Sequence, residues 1–234
     1  MSWRRLTAMV SVPDLRLLLV DDDAAIREAL VTFFASRPGV DVVAEARDGL
    51  EAIARYDELR PDVVLMDLQM PRLSGVDATR QICERHPRAC VVVMTTFGTR
   101  EYVVAALRAG ASGYLLKDTH GDALMTALEA ARLGEMPLSS GVRRELVSTL
   151  VVDTAPRPAA DHGLTPRELE LTQWLAHGLT NSQIATRMHL SEGSVKQYLT
   201  RVADKLGVGS RTQVLVRTIQ LGIVDPDAVP PLGT

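Results

Sequence analysis

The sequence predicts an α/β domain on a doubly wound, five-stranded parallel sheet, followed by an all-α domain of four helices. Three observations carry this. Residues 15–133 alternate short β-rich runs with segments of helical period, the pattern of a parallel sheet with helices on both faces. The runs "VVLM" and "CVVVMTT" do not alternate apolar with polar, as expected of strands covered on both sides. From residue 164 onward the β-rich runs stop and the segments have helical period. A chain of 234 residues is long for one domain and comfortable for two.

In order, the strand candidates are Leu15–Val20, Val40–Ala44, Asp62–Met66, Cys90–Thr95 and Gly113–Leu116. Amphipathic segments near 24–36, 48–59, 75–86, 99–109 and 121–133 lie between and after them. A short helix-like piece, "SSGVRRELVSTLV", follows. "DTAPRPAADHG" then reads as a linker, rich in Pro and Ala and without apolar period. In "LTPRELELTQWLAHG", Thr165 stands as N-cap, Pro166 at the first helical position and Glu168 three residues beyond the cap, a capping box; Gly178 ends the helix. "TNSQIATRMHL" and "SEGSVKQYLTRVADKLG" are two more helices, the latter closed by Gly207, and Arg211–Leu221 makes the fourth. The implied division is an extension at 1–14, the sheet domain at 15–135, a linker with a short helix at 136–162, the helical domain at 163–224 and a tail at 225–234.

Composition is ordinary for a globular protein, at 46% hydrophobic and 24% charged, with a net charge of −3. That average hides six basic residues against two acidic ones between Arg187 and Arg217, a pattern that also suits a plain solvated helix face. The only cysteines, Cys83 and Cys90, suggest a reduced, cytosolic protein. No apolar run approaches the ~20 residues needed to cross a bilayer. "MSWRRLTAMVSVP" is interrupted too soon by Pro13, Asp14 and Arg16 for a signal peptide. The expectation is a cytoplasmic protein with no membrane partner.

The chemistry collects at strand ends. "LRLLLVDDDAA" runs an apolar strand into three aspartates, Asp67 follows the third strand, Thr95 the fourth and Lys117 the fifth. Singly, an Asp after a strand is usually a turn or cap, and a Lys there is usually surface. Together they share one edge of a parallel sheet, where ligands bind. Clustered carboxylates raise one another's pKa unless a cation neutralises them, and hard oxygen ligands suit Mg²⁺. An added hydroxyl and ammonium fit an anion that comes and goes, and phosphoryl transfer to a carboxylate uses all of these groups.

On these residues, Leu15–Leu133 resembles the receiver domain of two-component response regulators, a flavodoxin-like fold. "LLLVDDD" is similar to the acid-pocket strand, "PDVVLMDLQMPRLSG" to the phosphoacceptor strand and loop, "VVVMTT" to the switch strand and "AGASGYLLKD" to the lysine strand. The 22-residue spacing from Thr95 to Lys117 also suits that family. The resemblance implies that Asp67 is phosphorylated, and that Mg²⁺ is held by Asp21, Asp22, Asp67 and the main-chain carbonyl of Gln69, with Asp22 the more direct ligand of the acid pair. Thr95 would bond the phosphoryl group, Lys117 would pair with it, and Tyr114 would be the aromatic that rotates as Thr95 moves; half-buried packing is its plainer role. Pro71 and Gly75 would shape the loop after Asp67. Asp23, where relatives often carry histidine, is expected to cap the next helix.

In "SEGSVKQYLTRVADKL", a wheel of 100° per residue puts Val195, Leu199, Val202 and Leu206 on one inward stripe, opposite Lys196, Gln197, Thr200, Arg201 and Asp204. Lys and Gln at an exposed helix start, capped by Ser191, suit base edges in the major groove; a generic helical bundle with a charged surface suits the pattern as well. The segment "LTPRELELTQWLAHGLTNSQIATRMHLSEGSVKQYLTRVADKLGVGSRTQ" is similar, nearly end to end, to the LuxR-type DNA-binding domain of the NarL/FixJ subclass. That likeness implies Lys196, Gln197 and Thr200 as base readers, and Arg187, Ser194, Arg201, Lys205 and Arg211 as phosphate contacts. Thr200 stands where relatives often have a basic residue, which implies fewer guanines read there. Glu168 is expected to be a buried structural partner. The last helix, Arg211–Leu221, has an apolar face (Val214, Leu215, Thr218, Leu221) that the likeness implies for dimerisation; simple core packing accounts for part of it.

The resulting expectation is a transcription factor, not an enzyme, switched by phosphorylation: a partner sensor histidine kinase phosphorylates Asp67, the helix-turn-helix domain is released, and a homodimer binds promoter DNA. Two rivals stay open. A haloacid-dehalogenase-type phosphatase also uses a strand-end Asp, but here the Asp-x-Asp of Asp21–Asp23 runs into Ala24 and Ala25. A DNA-binding protein indifferent to phosphorylation is the other.

Overall fold

The structure, a computed structural model, describes residues 15–96, 100–137 and 163–224. The predicted helix-like piece after residue 138 and most of the linker lie outside the described residues. In the first unit, β1 (Leu15–Val20), β2 (Val40–Ala46), β3 (Val63–Asp67), β4 (Val91–Thr95) and β5 (Gly113–Leu116) form one parallel sheet in the order β2-β1-β3-β4-β5. The helices α1 (Ala24–Ala35), α2 (Gly49–Leu59), α3 (Gly75–Arg85), α4 (Arg100–Arg108) and α5 (Asp122–Arg132) connect the strands and close the unit. The strand order reverses between β1 and β3, which opens the crevice where ligands bind in such sheets.

Strand β1 shows how sequence makes the two layers. Its side chains alternate between faces: Leu15, Leu17 and Leu19 pack with Phe34, Leu124 and Leu128, while Leu18 and Val20 pack with Ile53, Tyr56 and Ile82. From Leu17 to Val20 both faces are apolar, so after Arg16 the strand reads as a continuous hydrophobic run. Helix starts are fixed by short polar side chains. Asp23 accepts from Ala25 and Ile26 N–H, Asp48 from Leu50 and Glu51 N–H, and Ser74 from Asp77 N–H.

The strands differ from the sequence reading at their ends. β2 runs two residues further, to Ala46, and β4 starts at Val91. β3 starts at Val63, because exposed Asp62 is taken up by Arg16: its carboxylate accepts the Arg16 N–H at 2.9 Å and its own N–H donates to the Arg16 carbonyl. β3 also extends to Asp67, which the sheet ladder therefore holds directly.

The second unit comprises α6 (Pro166–Ala176), α7 (Asn181–Met188), α8 (Glu192–Leu206) and α9 (Arg211–Gln220). The predicted capping box on α6 is present, and equivalent boxes pair Thr180 with Gln183 and Ser210 with Gln213. Gly207 closes α8 at φ +67°. Glu168 is buried, accepts the Thr165 N–H and pairs with Lys205 Nζ at 2.7 Å. One apolar cluster runs through both units, from Val93, Val103, Leu107 and Tyr114 into Leu171, Trp174, Val214 and Leu215. The docked arrangement is tight: Thr212 Oγ1 donates to the Ser112 carbonyl, and a Cβ at Gly209 would lie 2.0 Å from the Pro87 carbonyl oxygen.

Candidate phosphoryl-transfer pocket and nucleic-acid face

Asp21, Asp22 and Asp67 meet at the carboxyl edge of β1 and β3, with one carboxylate oxygen of each lying within 4.8 Å of the others. Asp21 and Asp67 are buried and Asp22 is exposed. Asp67 Oδ1 accepts the Leu68 N–H at 2.8 Å, leaving Oδ2 toward Lys117. Lys117 Nζ lies 2.6 Å from Asp21 Oδ2 and 3.2 Å from Asp67 Oδ2. The Lys117 N–H donates to the Thr95 carbonyl, which ties the ends of β4 and β5 together beside the carboxylates. Thr95 is 2% exposed. Asp23 is spent as the α1 cap, and its N–H donates to Asp21 Oδ1 at 3.0 Å.

Electrostatics fit a cation as well as an anion. Burial pushes the Asp67 carboxyl above its ordinary range, Lys117 opposes that rise and Asp21 adds to it. Burial would lower the Lys117 pKa, but Asp21 and Asp67 outweigh it and hold the ammonium charged. Three carboxylates facing one ammonium leave negative charge uncompensated, and their hard oxygen atoms are the donor set that Mg²⁺ takes.

The loop after Asp67 is shaped by Gly75 and by contacts around Arg72 that the sequence pattern did not reveal. The Gly75 N–H donates to the Leu68 carbonyl, and a Cβ at Gly75 would stand 1.8 Å from the Asp67 carbonyl oxygen, so only glycine fits. Arg72, in the left-handed region at φ +66°, pairs with buried Asp48, and the Gly49 N–H donates to the Leu73 carbonyl. Pro71 precedes Arg72 in this turn. Gln69 is exposed, and its Nε2 donates to the Tyr102 hydroxyl on α4 at 3.2 Å. Asp48 directly before Gly49 was a readable cap signal; its pairing with Arg72 was not. Tyr114 is wholly buried in the cluster shared by both units, and burial pushes its hydroxyl up to about 12.

On α8, Lys196, Gln197, Thr200 and Arg201 are exposed while Val195, Leu199 and Val202 are buried. Ser194 Oγ is bonded to the Ser191 cap, and the Thr200 hydroxyl donates to the Lys196 carbonyl. Arg201 lies over the Tyr198 ring and Arg187 over the Trp174 ring, with guanidinium carbons 4.3 and 5.3 Å from the centroids. The structure does not bring all the predicted phosphate contacts to one open surface. Lys205 is held by Glu168 and the Gly163 carbonyl. Arg211, with its side chain 7% exposed, is engaged by Asn181, Leu179 and Glu135. Val214, Leu215 and Thr218 are buried and Leu221 is half-buried. A cleft of about 290 Å³ separates Lys196 and Thr200 from Arg132 and Leu133 at the end of α5, so the sheet unit stands beside the exposed face of α8.

Fold and constellations together define a receiver-type sheet unit joined to a helix-turn-helix unit. Residues 17–129 match the response regulator receiver domain, and residues 162–218 match the bacterial regulatory proteins of the luxR family. The chain is 38% identical to the uncharacterized transcriptional regulatory protein YxjL of Bacillus subtilis, over 90% of this chain and 97% of that one. It is 34% identical to the nitrate/nitrite response regulator protein NarL of Escherichia coli, over 86% and 93%. Among solved structures, the response regulator ChrA of a heme-sensing two-component system matches with a TM-score of 0.50 at 34% identity, covering 91% of this chain and all of that one. The chain belongs to the NarL/LuxR family of two-component response regulators, which act as transcription regulators. No helix among the described residues is long and apolar enough to cross a membrane.

Proposed function

We propose that this regulator accepts a phosphoryl group on Asp67 from a sensor histidine kinase in the cytoplasm, and that the modification releases the helix-turn-helix domain to dimerise on promoter DNA. The observation that carries this is the placement of Lys117 Nζ 3.2 Å from Asp67 Oδ2, beside two further carboxylates. In the transfer, Asp67 Oδ2 forms a bond to phosphorus as the bond from phosphorus to the kinase imidazole nitrogen breaks. Lys117 then meets the charge on the phosphoryl oxygens and the Thr95 hydroxyl donates to one of them. Asp21, Asp22, Asp67 and the Gln69 carbonyl would hold Mg²⁺, which when bound supplies charge neutralisation at the phosphoryl oxygens. The chain's own catalysis is limited to its phosphorylation and slow dephosphorylation.

The added charge of about −1.5 to −2 draws Thr95 and Lys117 inward, and Tyr114 lies on the path to the second domain because it belongs to the shared apolar cluster. Release exposes Val214, Leu215, Thr218 and Leu221 for dimerisation. Lys196, Gln197 and Thr200 then read bases, while Arg187, Ser194, Arg201, Lys205 and Arg211 contact phosphates. Phosphate incorporation from a small acyl phosphate tests the first step. Asp67→Ala abolishes it, and incorporation that survives in that variant rejects the assignment.

A further inference from the structure

Glu135 lies just beyond α5 and reaches the second domain. Its Oε1 accepts the Asn181 N–H at 2.9 Å, at the first residue of α7, and its Oε2 lies 3.8 Å from Arg211 Nη1. Arg211 also donates to Asn181 Oδ1 at 2.5 Å and to the Leu179 carbonyl. The Arg211 side chain is 7% exposed and Asn181 is buried. A helix-start amide beside a guanidinium is a seat for an anion, favoured by the helix dipole and by charge-assisted hydrogen bonds. Here the anion is a carboxylate from the other domain.

In a helix-turn-helix the first helix crosses the DNA backbone while the second enters the groove. Backbone N–H groups at a helix start, and arginine, are ordinary phosphate ligands. The α7 start and Arg211 are therefore placed to hold a phosphodiester, which like a carboxylate carries one negative charge and offers two acceptor oxygens. We propose that Glu135 and a DNA backbone phosphate compete for this one seat, so that the receiver's carboxylate stands in for DNA while the domains are docked. The inference rests on the proposed release of the DNA-binding domain and names the group that must leave. It also accounts for the buried guanidinium: Arg211 has an anionic partner in both states, and so avoids the cost of an unpaired buried charge.

Phosphate contacts carry no sequence information, so the test needs only a fluorescently labelled random-sequence duplex at low salt. The full chain and Glu135→Gln are compared with and without beryllofluoride. Without it, Glu135→Gln binds about tenfold tighter than wild type, the order set by one charge-assisted hydrogen bond; with it, the two bind alike. Arg211→Gln in the same chain cancels the gain. Glu135→Ala, which removes the acceptor too, tightens binding at least as much and guards against a folding defect peculiar to one variant. If wild type gains from beryllofluoride but neither Glu135 variant tightens binding, the competition is overturned and the phosphorylation reading stands. If the variants tighten binding while wild type gains nothing, the seat stands and that reading falls.

Discussion

Lys117 and Asp67 face one another at 3.2 Å although β4 lies between the strands that carry them. The parallel sheet makes this possible, because consecutive strand ends share one edge and a lysine is long enough to span the gap. If Lys117 meets developing charge on a phosphoryl group, Lys117→Ala slows incorporation from a small acyl phosphate by about 10²-fold, the scale of losing one preorganised electrostatic contact. Quantitative mass spectrometry of the phosphorylated chain reads this directly. An unchanged rate places the lysine outside the chemistry.

The three consecutive aspartates have unequal tasks. Asp22 is exposed at the pocket, whereas the Asp23 carboxylate is occupied with the Ala25 and Ile26 N–H groups. Calorimetric titration with Mg²⁺ separates the roles. Asp22→Ala lowers affinity by about tenfold or more, as loss of an anionic ligand implies. Asp23→Ala leaves affinity intact and costs about 1 kcal/mol of stability through the lost cap. Equal losses of affinity in both variants contradict this division.

Glu168 gives the second unit an acid sensitivity of known sign. Burial raises its pKa, but Lys205 and the Thr165 donors outweigh that, so the folded carboxyl sits below its ordinary value. A group depressed on folding contributes stability in full above its unfolded pKa, about 4.3 for glutamate, and loses it as pH falls from there through the folded value. Glu168→Gln therefore lowers the stability of the full chain by about 2 kcal/mol at neutral pH, the scale of charged hydrogen bonds, with the difference from wild type shrinking below pH ~4. Denaturant unfolding at two pH values measures both. A pH-independent difference assigns Glu168 a packing role alone.

Much of the fold was legible because local rules and tertiary needs agree. Leu17–Val20 is apolar on both faces and is buried on both; Thr165 with Glu168 spells a capping box and forms one. The pocket was legible for the same reason: Asp21, Asp67, Thr95 and Lys117 sit at strand ends, and strand ends converge whatever the loops do. What escaped the sequence depends on loop conformation or on docking. Arg72 finds Asp48 only because its backbone turns left-handed. Arg211 reads as a phosphate contact, yet its guanidinium is taken up by Asn181 and Leu179 of its own domain and lies beside Glu135 of the other. Val214 and Leu215 are buried where α9 packs against α6 and α8 of its own domain and against α4 of the other, so the docked share of that burial was not legible.

Gly209 offers a way to open that arrangement without touching either chemical site. Its Cα meets the loop after α3 so closely that a Cβ would lie 2.0 Å from the Pro87 carbonyl oxygen, 2.7 Å from its carbonyl carbon and 2.9 Å from its Cα. These are backbone atoms, which cannot rotate aside as a side chain would. Within its own domain the Gly209 N–H donates to Gln213 Oε1 at 2.8 Å, a bond that alanine keeps. Overpacking of this kind costs about 1–3 kcal/mol, and because the strain exists only while the domains are docked, it falls on that state alone. Gly209→Ala therefore shifts the balance of docked and separated forms by about tenfold or more. Small-angle scattering of the unphosphorylated chain then shows a larger radius of gyration, and random-sequence DNA is bound more tightly with no phosphoryl analogue present. An unchanged scattering curve together with unchanged DNA affinity would mean that the Pro87 loop yields in place and that the docked form tolerates the methyl group.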